Sequence, residues 1–131
     1  MLFFREEVYA PHISLGENPV AADRRSSKLV QGTVDLLILK TLTRGPQHGY
    51  GVSVWIRERT DGELALEDAA LYQALHRLES RGLLVSEWGA SDNNRRAKYY
   101  EITRKGRLWL AEESSTWQRY ARAVSSVLDP A

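Results

Sequence analysis

The segment from residue 68 to residue 103 constrains the fold of this chain most strongly, because it joins an amphipathic helix to two short runs that favour strands. Leu71, Leu75 and Leu78 recur at the i, i+4 and i+7 spacing of a helix that buries one face. Gly82 follows this stripe and supplies the left-handed residue at which helices commonly end. The helix is therefore predicted to stop there.

A short run of strand-favouring residues, 83–88, comes directly after the glycine, and a second such run covers residues 98–103. The polar stretch between them, residues 89–97, carries Arg95 and Arg96. The pattern predicts a hairpin with a positively charged tip. A helix followed at once by such a hairpin is typical of a winged helix, in which the helix can enter a major groove while the hairpin reaches neighbouring phosphates.

Upstream of this segment the sequence predicts two helices and a short strand. The first helix covers residues 28–43 and has apolar residues on two sides, so both sides require cover. Gly45 and Pro46 end this helix, and a second helix opens at Gly49. Residues 64–66 are expected to form a strand that pairs with the hairpin.

A long helix is predicted to follow Thr103, a favourable N-cap, and to continue to about Val127. Its apolar residues step alternately by four and three, which is the pattern of a seam between packed helices, over about two and a half heptads. The helix either packs on its own domain or forms a dimer. We favour the dimer, because a small winged domain leaves little uncovered core for so long a helix. The predicted dimer interface consists of Leu29, Leu36, Leu39, Leu110, Trp117, Ala121, Val124 and Leu128.

Length and composition are those of one small globular domain with an appendage. The 131 residues include no cysteine and carry a net charge of +1. The absence of cysteine excludes disulfides and thiolate sites and suits a reducing cytoplasm, where we expect the protein to reside. Three regions are predicted: an arm over residues 1–27 that is disordered or loosely packed, a winged-helix domain over residues 28–103, and a dimerisation helix over residues 104–131. Neither a membrane span nor a signal peptide is expected.

Positive charge concentrates in and just after the predicted hairpin. Between Arg95 and Arg107 there are six basic residues and a single acid, Glu101. Acidic residues gather elsewhere, at residues 61–68 and 112–113. A charge cluster on its own is most often a solvated surface, but beside the predicted helix this asymmetry fits a surface that faces DNA.

Three stretches of the chain resemble the PadR family of transcriptional regulators. They are QGTVDLLILKTLTRGPQHGYGV, LYQALHRLESRGLL and SEWGASDNNRRAKYYEIT, within a resemblance that runs from about Leu29 to Leu128. The NNRRAKYY run resembles the acidobacterial-type subgroup of the family. The resemblance implies an α+β, mainly α fold: a winged helix-turn-helix with a long C-terminal dimerisation helix. One departure is visible, because the family usually has Gly-Ser/Thr-Leu-Tyr-Pro where residues 69–73 read Ala-Ala-Leu-Tyr-Gln, so sequence preference there is expected to differ.

The residues of the predicted recognition helix that point away from the leucine stripe are candidates for DNA contact. Gln73 can pair bidentately with adenine, and Arg77 can reach guanine or a phosphate. Tyr72 has two interpretations of about equal weight: its hydroxyl bonds a phosphate, or its ring wedges against the first turn of the recognition helix. With the cations of the hairpin, the predicted DNA-binding set is Tyr72, Gln73, His76, Arg77, Arg95, Arg96 and Lys98.

Trp117 lies on the predicted seam, where its ring serves either as interface packing or as a ligand platform. Two copies related by a twofold axis would flank a cavity in which a planar aromatic molecule could stack. The resemblance implies such an effector, because members of the family are commonly regulated by small aromatic or drug-like compounds. Trp55 and Trp88 are predicted to be structural.

The sequence therefore predicts a homodimeric DNA-binding transcriptional regulator, a repressor that occupies a pseudo-palindromic operator and is released by a small aromatic effector. The alternative is a winged helix that serves protein–protein interaction, with its cationic hairpin against an acidic partner. An enzyme is not expected, because the sequence carries no nucleophile motif, phosphate loop or dinucleotide fingerprint. His12, His48 and His76 lack the spacing of metal ligands, so neither a metal nor another cofactor is expected.

Overall fold

The computed structural model describes residues 32–91 and 94–130, within which the chain forms four helices and three strands. The predicted arm over residues 1–27, and Leu29 of the predicted interface, lie outside these ranges. Helix α1 covers residues 32–42. The other elements are β1 (Gln47–His48), α2 (Gly49–Arg59), α3 (Asp68–Ser80), β2 (Leu84–Ala90), β3 (Arg96–Ile102) and α4 (Arg104–Leu128). The predicted fold is confirmed: a mainly helical winged helix with a small antiparallel sheet and a long C-terminal helix.

The core lies where the leucine face of α3 meets the inner faces of α1 and α2. Leu71, Leu75 and Leu78 are at most 1% exposed, as their helical spacing predicts. The fully buried side chains around them are Ile38 and Leu42 from α1, Val52 and Ile56 from α2, and Leu83 and Leu84 after α3. Burial of each such side chain contributes about 1.5–3 kcal/mol relative to exposure, so the inner face of α3 supplies much of the free energy that holds the helix against the domain.

The sheet has the strand order β1-β3-β2, with both pairs antiparallel. β2 and β3 form the predicted hairpin, paired from Leu84 opposite Ile102 to Ala90 opposite Arg96. Gly82, at φ +79°, ends α3 and turns the chain into β2, as predicted. The hairpin is the wing, and its strands reach closer to the tip than the sequence predicts.

The strand expected over residues 64–66 is wrong. The third strand is β1, whose Gln47 and His48 pair with Tyr100 and Tyr99 of β3. His48 is extended because it also caps α2: its imidazole Nδ1 accepts a hydrogen bond from the amide of Gly51 at 3.0 Å. The leucines at 64 and 66 instead pack singly against the core as half-buried side chains, which requires no strand partner.

α4 begins at the predicted cap and leaves the domain as it proceeds. The hydroxyl oxygen of Thr103 accepts a hydrogen bond from the amide of Gly106 at 2.9 Å. Gly106 and Leu110 are the buried residues of this helix. Farther along, the indole Nε1 of Trp117 donates to the hydroxyl of Thr33 at 3.2 Å, so α4 also runs beside α1.

Two predicted interface residues belong to the core of this single chain. Leu39 is 0% exposed and Leu110 is 7% exposed. The expectation that Leu39 lacks cover is therefore wrong, because its side chain packs fully inside the domain. Leu110 lies at the base of α4, where the helix still contacts the domain. Leu36 is half-buried and packs against the same core. Within the described ranges, no helix combines the length and the apolar character that crossing a membrane requires.

Candidate nucleic-acid interface

The outward face of α3 is formed by Ala70, Gln73 and His76, which are all exposed. These positions recur every three residues, so they form one line along the helix opposite the buried leucines. Gln73 offers an amide that can donate and accept at once, and His76 offers an imidazole. The small side chain of Ala70 leaves the backbone close to whatever the first turns of α3 approach.

Tyr72 lies beside this line and is half-buried. Its ring packs against Gly49, the first residue of α2: a Cβ built on that glycine would lie 3.0 Å from both the ring and the hydroxyl oxygen. Tyr72 also packs against the hydrophobic core. The geometry favours packing for this ring, but against the start of α2 and not against the first turn of its own helix, and the absence of a side chain at residue 49 makes room for it.

Arg77 is not the free outward cation that the sequence suggests. Its guanidinium Nη2 lies 2.6 Å from the carboxylate Oδ1 of Asp35 on α1, and Asp35 is only 7% exposed. A buried carboxylate needs a cationic or hydrogen-bonding partner, and Arg77 supplies it. The pair ties α3 to α1. The Arg77 side chain keeps 37% of its surface exposed. Its main role is nevertheless structural, because its guanidinium pairs with Asp35.

The tip of the wing presents Arg95 to solvent. The turn is closed by a hydrogen bond from the amide of Ser91 to the carbonyl of Arg95 at 2.8 Å, with Asn94 in the left-handed region at φ 63°. Arg96 lies on β3 rather than on the tip, and its guanidinium carbon is 4.7 Å from the centre of the Trp88 ring. This cation–π contact holds the arginine extended along the wing.

Trp88 was expected to be structural, and its position corrects that view. It is 54% exposed, because β2 carries it onto the wing beyond the reach of the core. Its indole supports Arg96 from the side instead of filling the interior. Trp55 differs: it is half-buried against the core, and the guanidinium carbons of Arg44 and Arg59 lie 5.0 and 5.5 Å from its ring centre.

Lys98 is partly committed within the protein. Its Nζ lies 3.9 Å from one carboxylate oxygen of Glu79 near the end of α3, while the other oxygen accepts a hydrogen bond from the hydroxyl of Ser86 at 2.6 Å. Glu79 therefore links α3 to both strands of the wing. The ion pair is long and about one-third exposed, so it is weak and Lys98 can exchange it for another anion.

Two of the wing cations, Arg96 and Lys98, lie on the sheet face that adjoins α3. Side chains alternate across a strand, so Arg96 and Lys98 share a sheet face with Ser86 and Trp88. The contacts of Glu79 place this face against the C-terminal half of α3. A helix with polar groups on its outer face and two to three cations beside it can contact base edges and phosphates together.

Sequence reasoning missed Asp35, a buried carboxylate that helps to position this surface. The partner of Asp35 is 42 residues away, so no local pattern could have revealed the pair. It also missed Tyr50, a 63% exposed aromatic in the first turn of α2. Val52 and Ile56 are buried on the other side of α2, so helical periodicity could have predicted that Tyr50 is exposed.

The distal part of α4 carries an exposed apolar stripe. Trp117, Val124 and Leu128 of the predicted seam are 43%, 37% and 75% exposed, and Ala121 is half-buried. Tyr120 and Val127, at 64% and 83%, widen the stripe on the same side. Exposed large apolar side chains at successive helical turns mark an interaction surface more often than a solvated one.

Within residues 32–91 and 94–130, no three His, Asp or Glu side chains come together in a way that could hold a metal ion. The histidines that were judged unlike metal ligands have other surroundings. His48 caps α2 and meets the Tyr99 ring edge-on, with centroids 5.3 Å apart, and His76 is exposed on α3. His12 lies outside the described residues.

Comparison with known proteins gives one consistent family. The sequence profile described as the transcriptional regulator PadR-like family matches residues 38–112. A transcriptional regulator of Mycobacterium tuberculosis is 37% identical over 78 residues, which span 60% of this chain and 59% of that protein. The structure of a transcriptional regulator from Clostridium thermocellum is 31% identical with a TM-score of 0.69, covering 76% of this chain and 94% of that one. A PadR family transcriptional regulator from Eggerthella lenta is 32% identical with a TM-score of 0.64, covering 86% of this chain and all of that one.

Replacing Arg77 with alanine is expected to lower the free energy of unfolding by about 1–3 kcal/mol, because Asp35 keeps its buried charge and loses its partner. Arg57→Ala, at an exposed position of α2, is the matched control and should change stability by less than about 0.5 kcal/mol. Urea denaturation of both variants measures the difference. Equal stabilities for the two variants would show that Asp35 does not depend on Arg77.

Proposed function

Because the chain belongs to the PadR-like family of transcriptional regulators, we propose that it represses transcription by binding a pseudo-palindromic operator as a homodimer. The chain is a regulator and not an enzyme. The observation that carries the proposal is the common surface formed by the outward face of α3 and the cations of the wing. Two copies of that surface, related by a twofold axis, would read successive major grooves.

DNA binding and dimerisation are assigned to different parts of the chain. Residues 28–103 are the DNA-binding domain, and residues 104–131 are the dimerisation helix. This division is supported by burial: α1 to β3 share one core, whereas α4 is buried only at Gly106 and Leu110. A helix of 25 residues that is mostly outside its own core needs another surface to cover its apolar stripe.

In the proposed complex, α3 supplies sequence preference. Gln73 and His76 lie on the exposed line of the helix, and the amide of Gln73 suits the N6 and N7 groups of adenine in the major groove. Arg77 can add a phosphate contact with its exposed edge while keeping Asp35. The hydroxyl of Tyr72 lies at the junction of α2 and α3, so we assign it a minor role at most.

The wing supplies affinity that does not depend on sequence. Arg95 at the tip, Arg96 on the Trp88 ring and Lys98 beside Glu79 are long cations that can reach phosphates without reading bases. Their contacts within the protein determine how readily each can bind a phosphate. Arg95 is exposed at the tip and is the most accessible, whereas Lys98 first has to break its ion pair with Glu79.

The dimer would bury the apolar stripe of α4 against its twin. Trp117, Ala121, Val124 and Leu128 form its seam, with Tyr120 and Val127 at its margin. A small aromatic effector is proposed to stack on Trp117 between the two copies and shift the population toward dimers that no longer fit the operator. The ring is 43% exposed while its Nε1 is engaged by Thr33, so a flat face remains available for stacking.

The competing proposal is a protein-interaction module whose cationic wing meets an acidic partner. Titration of a labelled duplex at several salt concentrations separates the two. A DNA-binding protein loses affinity linearly in log salt as counterions are released, and unlabelled duplex competes for it. If unlabelled duplex failed to displace the labelled duplex, the proposed DNA binding would be contradicted.

The double variant Arg95→Ala with Arg96→Ala is expected to weaken binding to every duplex and to reduce the slope of log affinity against log salt by about one to two. The matched control is Arg119→Ala with Arg122→Ala, which removes the same charge from exposed positions of α4. The control should leave the slope unchanged. A wing variant whose slope equals that of the wild type would contradict the phosphate role.

Gln73→Ala is expected to relax preference at one base position in each half-site, at a cost of about 1–3 kcal/mol for the preferred base. Selection from a random duplex library measures the preference profile. Gln118→Ala on α4 serves as control, because it removes the same amide from an exposed residue of another helix. An unchanged profile for Gln73→Ala would leave Gln73 without a role in base recognition.

Val124→Glu is expected to yield monomers that have lost operator binding, because the dimer would bury an unpaired charge at a cost of several kcal/mol. Ser126→Glu adds the same charge on the opposite, exposed side of α4 and should leave the dimer intact. Sedimentation velocity at micromolar concentration decides the outcome. A wild-type monomer, or a Val124→Glu dimer as tight as that of the wild type, would refute the seam.

A further inference from the structure

The end of α3 and the start of α4 meet at a single hydroxyl. The Oγ1 of Thr103 donates a hydrogen bond to the carbonyl of Gly82 at 2.8 Å, and the same oxygen accepts one from the amide of Gly106 at 2.9 Å. Helix ends leave carbonyls and amides without intrahelical partners. Thr103 therefore satisfies one group at the turn that ends α3 and another at the first turn of α4.

Further contacts reinforce this meeting point. The amide of Thr103 donates to the carbonyl of Leu83 at 3.1 Å, and Nζ of Lys105 donates to the carbonyl of Arg81 at 3.1 Å. At Gly106 the two segments touch so closely that a Cβ would overlap the carbonyl oxygen of Leu83. We call these residues the α3–α4 joint: Arg81, Gly82, Leu83, Thr103, Lys105 and Gly106.

A side-chain contact extends the joint along the helix. The guanidinium carbon of Arg81 lies 5.2 Å from the centre of the Trp109 ring, one turn farther into α4. Beyond Leu110 the described part of α4 has no buried residue. The direction in which α4 leaves the domain is therefore set mainly at its base, with the Trp117 to Thr33 hydrogen bond as the second support.

The length of α4 makes its direction important for a dimer that binds two half-sites, because a small rotation at the base moves the far end a long way. Val124 is 18 residues from Gly106, and a helix rises about 1.5 Å per residue, which gives an arm of roughly 27 Å. A rotation of about 7° at the joint moves the far end by about 3.4 Å, the length of one base-pair step. A small rotation at the joint thus changes the distance between the half-sites that the dimer fits by about one base-pair step.

We propose that the α3–α4 joint determines the half-site spacing that the dimer accepts, with Thr103 as its positioning residue. The inference rests on the proposed dimeric DNA binding and deepens it. α3 carries the surface that contacts DNA, and α4 carries the dimer seam. Because the joint fixes the angle between α3 and α4, it also fixes the distance between the two copies of α3 in the dimer. Specificity then resides partly in residues that touch neither DNA nor the partner chain.

The test uses the full chain and the duplex that wild-type protein selects from a random library. Variants of that duplex carry one or two base pairs added or removed between the half-sites. Thr103→Val keeps the shape of the side chain and removes both hydrogen bonds of the hydroxyl, and Thr103→Ser keeps the hydroxyl. Thr116→Val makes the same exchange at an exposed position of α4, where the hydroxyl bonds only the Glu112 carbonyl at 3.2 Å.

Wild type, Thr103→Ser and Thr116→Val are expected to bind the selected spacing about tenfold better than a spacing changed by one base pair, comparable to a mismatched base pair. Thr103→Val should remain dimeric, bind a single half-site as wild type does, and discriminate spacings by less than about threefold. A merely structural cap would instead lower thermal stability and leave the spacing preference intact. Should Thr103→Val fail to fold, Lys105→Ala is measured in its place, because it removes the exposed side chain whose amine bonds the Arg81 carbonyl.

A folded, dimeric Thr103→Val with the wild-type spacing preference overturns the role of the joint and leaves the proposed function standing. The same holds for Lys105→Ala where it replaces Thr103→Val. A wild-type protein that binds every spacing equally, or one half-site as well as two, overturns the dimeric DNA binding itself. The two failures are therefore distinguishable in one set of titrations.

Discussion

A helix that presents groups to DNA needs one face fixed and the opposite face free, and in α3 burial of Leu71, Leu75 and Leu78 provides the fixed face. Three apolar side chains on one face define the rotation of the helix about its own axis. The polar contacts of α3 resist sliding. Arg77 attaches the C-terminal half of α3 to Asp35 of α1, and Glu79 attaches the end of α3 to the wing. Apolar packing thus orients the reading surface, and two carboxylates locate it.

The elements whose signals are local could be predicted from the sequence. The leucine spacing of α3, the glycine at residue 82 and the cap at Thr103 each act within one helical turn, and all three are confirmed. The apolar seam of α4 could be predicted as a pattern. Its assignment to a dimer stays a prediction, because periodicity reports that a face needs cover and does not say what covers it.

The errors come from contacts between distant parts of the chain. Residues 64–66 have the composition of a strand, yet the strand that pairs with β3 on the side away from β2 is β1, from an earlier part of the chain. Leu39 falls on the second apolar side of α1, but the small domain wraps far enough to bury it. Arg77 reads as a free cation until Asp35 is placed beside it. In each case the deciding partner is remote in sequence and invisible to a window of one or two turns.

The contact between Gly49 and Tyr72 has a consequence for how such a chain can change over evolutionary time. The ring occupies the space that a side chain at residue 49 would need, so the two positions share one volume. A larger residue at 49 requires the ring to shift or a smaller residue at 72, and a smaller residue at 72 alone leaves unfilled space beside Gly49. The effects of substitutions at the two positions on stability are therefore expected to be non-additive. A change in the first turns of α3 is in this way coupled to the first turn of α2.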